Sequence, residues 1–127
     1  MIRVDNFTKL YGPLAAVDDL SFSVSGGEVL GLVGPNGAGK TTTLRAISGI
    51  IAPTKGNISI GGFDLAAEPV KAKAQLSFIP DEPHLFEYLT VDEHLRFIGR
   101  LYGVADAAVV GEVFESPEPV IRIARNR

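Results

Sequence analysis

The sequence has no cysteine among its 127 residues, a net charge of only −3, and no long apolar run. Without cysteine, neither a disulfide framework nor a thiolate metal site can form. The weakly acidic balance offers no general basic surface, so direct binding of nucleic acid is not expected. The longest apolar run, residues 28–34, is interrupted by glycine and falls short of the about 18 residues of a membrane span. Residues 1–5 also lack the apolar core of a signal peptide. These absences predict a cytoplasmic chain that would meet a membrane only through a partner.

The residues that are present are typical of one folded domain with mixed helices and strands. Hydrophobic residues make up 46% of the sequence and charged residues 21%, which are proportions of a soluble globular domain. The run at 28–33 is apolar on both faces, which favours a strand buried inside a sheet. Short apolar or alternating runs predict strands at residues 2–8, 20–24, 28–33, 57–60 and 75–79. Helical periodicity predicts helices over residues 40–50 and 68–74, from Thr90, and from Asp106.

The helix predicted from Thr90 carries clear local signals. Glu93 lies three residues after Thr90, which is the spacing of a capping box. Gly103 is typical of the residue that ends such a helix. Prolines interrupt the following predicted helix, so residues 116–127 are interpreted as a divergent tail.

A glycine-rich loop follows the 28–33 run and matches the P-loop pattern G-x-x-x-x-G-K-[ST] at every fixed position. Its glycines allow positive φ angles and let backbone N–H groups approach a polyphosphate closely. The predicted helix behind the loop adds the unpaired donors and the dipole of a helix N-terminus. Lys40 would place a positive charge at the β- and γ-phosphates, and the Thr41 hydroxyl is a suitable ligand for Mg²⁺. The alternative, a chance glycine-rich turn, is disfavoured by the strand–loop–helix setting. The loop comprises Gly34, Pro35, Asn36, Gly37, Ala38, Gly39, Lys40 and Thr41.

Segments on both sides of this loop resemble, in the right order, the opening of the ATPases of ATP-binding-cassette (ABC) transporters. The resemblance covers residues 1–115 and includes the start of a helical subdomain from about residue 82. It implies an α/β, P-loop NTPase fold with a parallel core sheet around the P-loop helix and an antiparallel N-terminal β layer. The matching segments are Tyr11-Gly12 and residues 16–22, 26–28, 34–42, 56–58, 60–62, 78–83, 89–91 and 93–95.

The resemblance implies ATP and Mg²⁺ as cofactors and adds residues to the site. Tyr11 matches the aromatic residue that stacks on the adenine ring, a contact that suits a flat base. Val17 would pack beside the ribose, and the Thr42 hydroxyl would reach the phosphates. Taken alone, Tyr11 would more simply pack at a strand end, and Thr42 would be an exposed helix residue.

Asp81 stands where the family usually has the glutamine of its Q-loop, and some exporter-type relatives resemble this chain in carrying an acidic residue there. A carboxylate can accept a hydrogen bond from the nucleophilic water or ligate Mg²⁺, but it cannot donate as an amide does. Lys40 and Asp81 are therefore the predicted catalytic residues, and Thr41 and Asp81 the predicted metal ligands. The alternative for Asp81 is a solvated loop carboxylate next to Glu82.

Two further patterns are interpreted as structural. Ser25-Gly26-Gly27-Glu28 resembles the signature motif of the family but precedes the P-loop, so a turn is expected there. His84 and His94 have no companion ligands at metal-binding spacing and are interpreted as surface residues.

Three features of the family are not found after the P-loop in this sequence. They are the signature motif, the Walker B strand that ends in Asp-Glu, and the switch histidine. Hydrolysis of ATP is implied by the family, but these residues alone are expected to bind ATP without turning it over. We interpret the chain as a truncated product. That interpretation predicts exposed apolar faces, an unpaired sheet edge, and either poor solubility or an obligatory partner.

The resemblance also implies two partners, a transmembrane permease subunit and a second ABC ATPase domain in a homo- or heterodimer. Residues 82–111 are the expected surface for the permease, which would hold the chain at the inner face of the membrane. The Asp81 region favours export as the direction of transport. Alternatives are an ABC ATPase of translation or DNA repair, a nonfunctional fragment, and, least favoured, another P-loop enzyme such as a kinase or GTPase.

Overall fold

The computed structural model describes residues 1–81 and 85–104, and the chain divides into two units between Ile79 and Pro80. Within the described residues, no helix combines the length and the apolar character needed to cross a membrane. The described part of the second unit contains the helix α3 (Val91–Leu101). The first unit contains the strands β1 (Ile2–Tyr11), β2 (Leu14–Val24), β3 (Lys55–Ile60) and β4 (Phe63–Asp64) and the helices α1 (Lys40–Ile47) and α2 (Pro69–Lys73).

The four strands form one antiparallel sheet in the order β2-β1-β3-β4. Strand β1 lies inside the sheet, where Val4 pairs with Phe22 of β2 on one side and with Ile58 of β3 on the other. β-Branched and aromatic residues recur along these strands, as expected for a half-buried pleated surface. The predicted antiparallel N-terminal layer is therefore confirmed.

One face of the sheet shares an apolar core with α1. Both strand and helix residues belong to a single cluster of buried side chains. Helix α1 begins at Lys40, as predicted, and its Ala46 is fully buried. This packing holds α1, and with it the loop that precedes α1, against the sheet. The most deeply buried apolar residues of the cluster are Val4, Phe7, Ala46, Ile58, Ile60 and Ala72.

The strands predicted at residues 28–33 and 75–79 do not form. Val29 and Val33 are 90% and 93% exposed, and Ile79 is 86% exposed. A strand persists only where its backbone groups find partners on a neighbouring strand, and neither run belongs to the sheet of the described residues. The two strand predictions were wrong, and the described residues form no parallel core sheet.

The turn predicted in place of a signature motif is confirmed. It follows the end of β2, and the Glu28 N–H donates to the Ser25 carbonyl at 3.3 Å. The Ser25 N–H in turn donates to Glu28 Oε2 at 2.6 Å. These bonds hold the four residues as a local motif, independent of the phosphate loop that follows.

In the second unit, α3 begins with the predicted capping box. Thr90 Oγ1 accepts a hydrogen bond from the Glu93 N–H at 3.3 Å, and Glu93 Oε2 accepts one from the Thr90 N–H at 2.8 Å. Gly103 follows the helix with a φ of 72°, the left-handed conformation expected of a residue that ends a helix. His94 lies on this helix with its ring 5.5 Å from that of Phe86.

Several predictions fall outside the described residues. They concern Glu82 and His84, the helix from Asp106, and the divergent tail at 116–127. The boundaries of the partial domain (1–115) and of its helical subdomain (from about residue 82) remain predictions.

Candidate functional site

The P-loop connects the apolar run 28–33 to α1. Gly37 and Gly39 have φ angles of 85° and 80°, so the loop adopts the backbone conformation that its glycines permit. The Ala38 N–H donates to the Pro35 carbonyl at 3.2 Å, which closes a turn inside the loop. The loop is thereby folded back over the start of α1.

The N-terminus of α1 is left open by its cap residue. Gly39 is the N-cap, and no side-chain hydrogen bond caps the helix. The Thr43 N–H and the Thr43 hydroxyl both donate to the Gly39 carbonyl, at 2.8 and 2.9 Å. The N–H groups at the very start of a helix have no acceptor within the helix, and together with the helix dipole they attract an anion.

Strand β2 comes so close to Gly39 that a side chain there would collide with it. A Cβ on Gly39 would lie 2.5 Å from the Ala16 carbonyl oxygen and 2.7 Å from Val17 Cγ2. Ala16 occupies a bulge, because Lys9 pairs with Val17 while Leu10 pairs with Ala15. The bulge brings the β2 backbone against the phosphate loop.

Lys40 places its charge inside the loop. Its ammonium donates to the Gly34 carbonyl at 2.6 Å and to the Pro35 carbonyl at 2.7 Å. Both acceptors are neutral, so a phosphate would offer the ammonium a stronger, charge-assisted hydrogen bond. The side chain is thus held where it could exchange loop carbonyls for phosphate oxygens.

These elements line an open cavity of about 480 Å³. Its donors are backbone amides, the hydroxyls of Thr41 and Thr42, and the Lys40 ammonium, a set that suits a polyphosphate. Thr41 is exposed and Thr42 is half-buried. The lining is formed by Leu14, Ala15 and Ala16 of β2 and by residues 36–42.

A second cavity, of about 270 Å³, lies between the end of α1, strand β3 and α2. Its lining is mainly apolar, and Lys73 is its single ionisable residue. Lys73 donates to the Gly49 carbonyl at 3.2 Å. No residue that lines this cavity carries a hydroxyl, and a mainly apolar lining does not suit a polyphosphate.

The two residues predicted to bind the nucleoside differ in their exposure. Tyr11 ends β1, where its backbone pairs with Leu14, and its side chain is half-exposed. Val17 is 8% exposed and belongs to the apolar core. Tyr11 is therefore accessible to a base, whereas Val17 is buried next to Gly39.

Asp81 is exposed and belongs to the second unit. Its predicted roles at the reacting phosphate and at Mg²⁺ remain predictions. Among residues 1–81 and 85–104, no group of three or more histidine or acidic side chains could hold a metal ion.

Sequence reasoning missed three contributors to the site. The bulge at Ala16 and the hydroxyl bond of Thr43 depend on contacts with Gly39, and Leu14 lines the cavity because the β1–β2 hairpin reaches it. A pattern of residue types carries no signal for which backbone atom meets Gly39. The Thr43 bond has the i to i−4 spacing of a threonine in a helix and could have been found from the sequence, whereas the contributions of Ala16 and Leu14 could not.

Known proteins are similar to this chain over most of its length. The profile of the ABC transporter family matches residues 17–125. The chain is 43% identical over 104 residues to the linearmycin resistance ATP-binding protein LnrL of Bacillus subtilis, which covers 82% of this chain and 33% of LnrL. It is 40% identical over 120 residues to the SkfA peptide export ATP-binding protein SkfE of the same species, which covers 94% of this chain and 49% of SkfE.

A solved structure of the ATP-binding subunit of an ABC transporter superposes on this chain with a TM-score of 0.82 at 37% identity. The superposition covers 90% of this chain and 48% of that one. The chain thus spans between a third and a half of the length of these proteins.

Proposed function

Because this chain belongs to the ABC transporter family of ATP-binding proteins, we propose that it binds Mg-ATP through residues 34–42 to energise transport across a membrane. Its fold class is that of an ABC ATPase cassette. The observation that carries the proposal is the joint arrangement of an uncapped α1 N-terminus and the Lys40 ammonium beside one cavity.

Each part of the loop has a task that its chemistry suits. The amides of the loop and of the first turn of α1 bind phosphate oxygens. Lys40 binds the β- and γ-phosphates, and the Thr42 hydroxyl adds a hydrogen bond to them. Thr41 ligates Mg²⁺, which neutralises charge on the phosphate oxygens.

Residues beyond the loop complete the proposed site. Tyr11, whose ring is accessible, stacks on the adenine base. Val17 packs beside the ribose from its buried position in β2. Asp81 ligates Mg²⁺ or accepts a hydrogen bond from the attacking water. Residues 1–127 are proposed to bind ATP without turnover, because no signature motif follows the P-loop in this sequence.

Export is the proposed direction of transport. SkfE is named for export of the SkfA peptide and LnrL for linearmycin resistance, and another relative is named for export of Nod factor. The proposed partners are a transmembrane permease subunit and a second ABC ATPase domain. The proposed location is therefore the cytoplasmic face of a membrane, reached through the permease.

The test is ATP binding by titration calorimetry with Mg²⁺, for the parent chain, Lys40→Ala and Lys71→Ala. A hydrogen bond to a charged group contributes about 1.5–3 kcal/mol, so Lys40→Ala is expected to weaken binding about ten- to a hundredfold. Lys71→Ala removes the same charge from an exposed pair with Glu68 and should leave affinity unchanged. Equal affinities for the parent and Lys40→Ala would contradict the proposal.

A further inference from the structure

Lys9 lies close to the proposed base-binding residue. Its ammonium is 5.4 Å from the centroid of the Tyr11 ring, within the range of a cation–π contact. The two residues are two positions apart on β1, a spacing that places side chains on one face of a strand. Lys9 is half-buried and Tyr11 is half-exposed.

The Lys9 ammonium is held in place from a distant part of the chain. It donates to the Ala52 carbonyl at 2.8 Å, across 43 positions in the sequence. That carbonyl belongs to a loop that is itself bonded to β1: the Thr54 N–H donates to the Thr8 carbonyl at 2.9 Å, and the Leu10 N–H donates to Thr54 Oγ1 at 3.1 Å. The cation therefore has a defined position relative to the end of β1.

Tyr11 is connected to the phosphate cavity through the β1–β2 hairpin, although Tyr11 itself is not among the residues that line the cavity. Tyr11 pairs with Leu14 across the turn, and Leu14 lines the cavity together with the P-loop. One face of the ring is occupied by the ammonium. A planar ligand whose phosphates lie in the P-loop is left with the opposite face.

We propose that Lys9 is a positioning residue for nucleotide binding, because its ammonium, fixed by Ala52, holds Tyr11 so that the free ring face stacks on the base. The inference rests on the proposed function. The cation also draws ring electron density toward itself, which reduces repulsion between the free face and the electron-rich face of a purine. Lys9 does not touch the phosphates in this arrangement.

Two ligands distinguish a positioning role of Lys9 from a purely structural one. ATP contains base and phosphates, whereas inorganic tripolyphosphate contains the phosphates alone. Both are titrated with Mg²⁺ against the parent chain, Lys9→Met, Lys9→Arg, Tyr11→Ala and the double variant Lys9→Met/Tyr11→Ala. Methionine keeps an unbranched apolar stem without the charge, and arginine keeps a cation that also binds aromatic faces.

Lys9→Met is expected to weaken ATP binding about two- to fivefold, the range that corresponds to an exposed cation–π contact, and to leave tripolyphosphate binding unchanged. Lys9→Arg should restore ATP affinity. In the Tyr11→Ala background, Lys9→Met should cause no further loss, because the ring through which it acts is gone.

Three results would overturn the inference alone. They are unchanged ATP affinity in Lys9→Met, an equal loss for tripolyphosphate, and a loss that persists in the Tyr11→Ala background. A parent chain that binds neither ligand would overturn the proposed function and this inference with it. Lys40→Ala distinguishes a failure of the proposed function from a failure of this inference. It should weaken the binding of both ATP and tripolyphosphate, whichever residue is at position 9.

Discussion

Gly39 occupies the point where the phosphate loop, α1 and β2 meet. Its φ of 80° is strained for any residue with a Cβ. A Cβ would also lie 2.5 Å from the Ala16 carbonyl oxygen. That oxygen belongs to the backbone, so relieving the contact would require a shift of β2. The loop therefore depends on glycine here for two independent reasons, backbone conformation and space.

Gly37 provides a matched comparison for the substitution of Gly39 by alanine. Gly37 has a similar φ of 85°, but a Cβ there would meet no atom within 4 Å. Gly37→Ala should lower the free energy of unfolding by about 1–2 kcal/mol, the cost of the left-handed conformation. Gly39→Ala should lower it by clearly more, because it adds the collision with β2. Urea unfolding followed by circular dichroism measures both, and equal losses would show that the contact with Ala16 has no cost.

Helix α3 shows how a local element is stabilised by its own first residues. The pKa of Glu93 is held below its ordinary value, first because its carboxylate accepts the Thr90 N–H and second because it accepts the Thr90 hydroxyl. A lowered pKa in the folded state means that the bond stabilises the helix above the ordinary glutamate pKa of about 4.3. The contribution is lost as the pH falls through the lower folded value.

Acid titration should therefore loosen the start of α3. We expect the amide resonance of Thr90, followed by NMR, to move with a midpoint below about 4.3, the ordinary value for glutamate. Glu93→Gln should abolish this titration while keeping the cap, since glutamine also accepts a hydrogen bond from the N-cap amide. Glu87→Gln is the control and should leave the titration of the Thr90 amide resonance unchanged. A midpoint at or above the ordinary value would contradict the hydrogen bonds assigned to Glu93.

At the scale of the whole molecule, the first unit exposes apolar side chains that its sheet does not cover. Val29 and Val33 lie in the apolar run before the P-loop and are 90% and 93% exposed. Exposed apolar residues that cluster in one segment mark surfaces that associate with other molecules. The described sheet is antiparallel throughout, so this run remains outside it.

The apolar run should make the chain associate as its concentration rises. Sedimentation velocity of the parent is expected to show oligomers that are reduced in the double variant Val29→Thr/Val33→Thr. Val70→Thr removes an equally apolar side chain that is 81% exposed on α2, and it should leave association unchanged. A parent chain that is monomeric at every concentration would show that the run has no such role.

The sequence determined those features that depend on near neighbours along the chain. The P-loop, the start of α1 at Lys40 and the capping box of Thr90 and Glu93 rest on residues within a few positions of one another. Motif spacing therefore predicts them. The turn at Ser25–Glu28 is of the same kind, since its bonds close within four residues.

Only the tertiary structure decided which distant segments meet. An apolar run such as 28–33 looks the same whether or not a neighbouring strand is there to pair with it, so the run alone could not reveal that it lies outside the sheet of the described residues. The same holds for the contact of Gly39 with Ala16 and for the bond of Lys9 to Ala52. These contacts join residues far apart in the chain, and they arise from the packing of backbone segments. The residue type at a single position does not reveal which distant segment will pack against it.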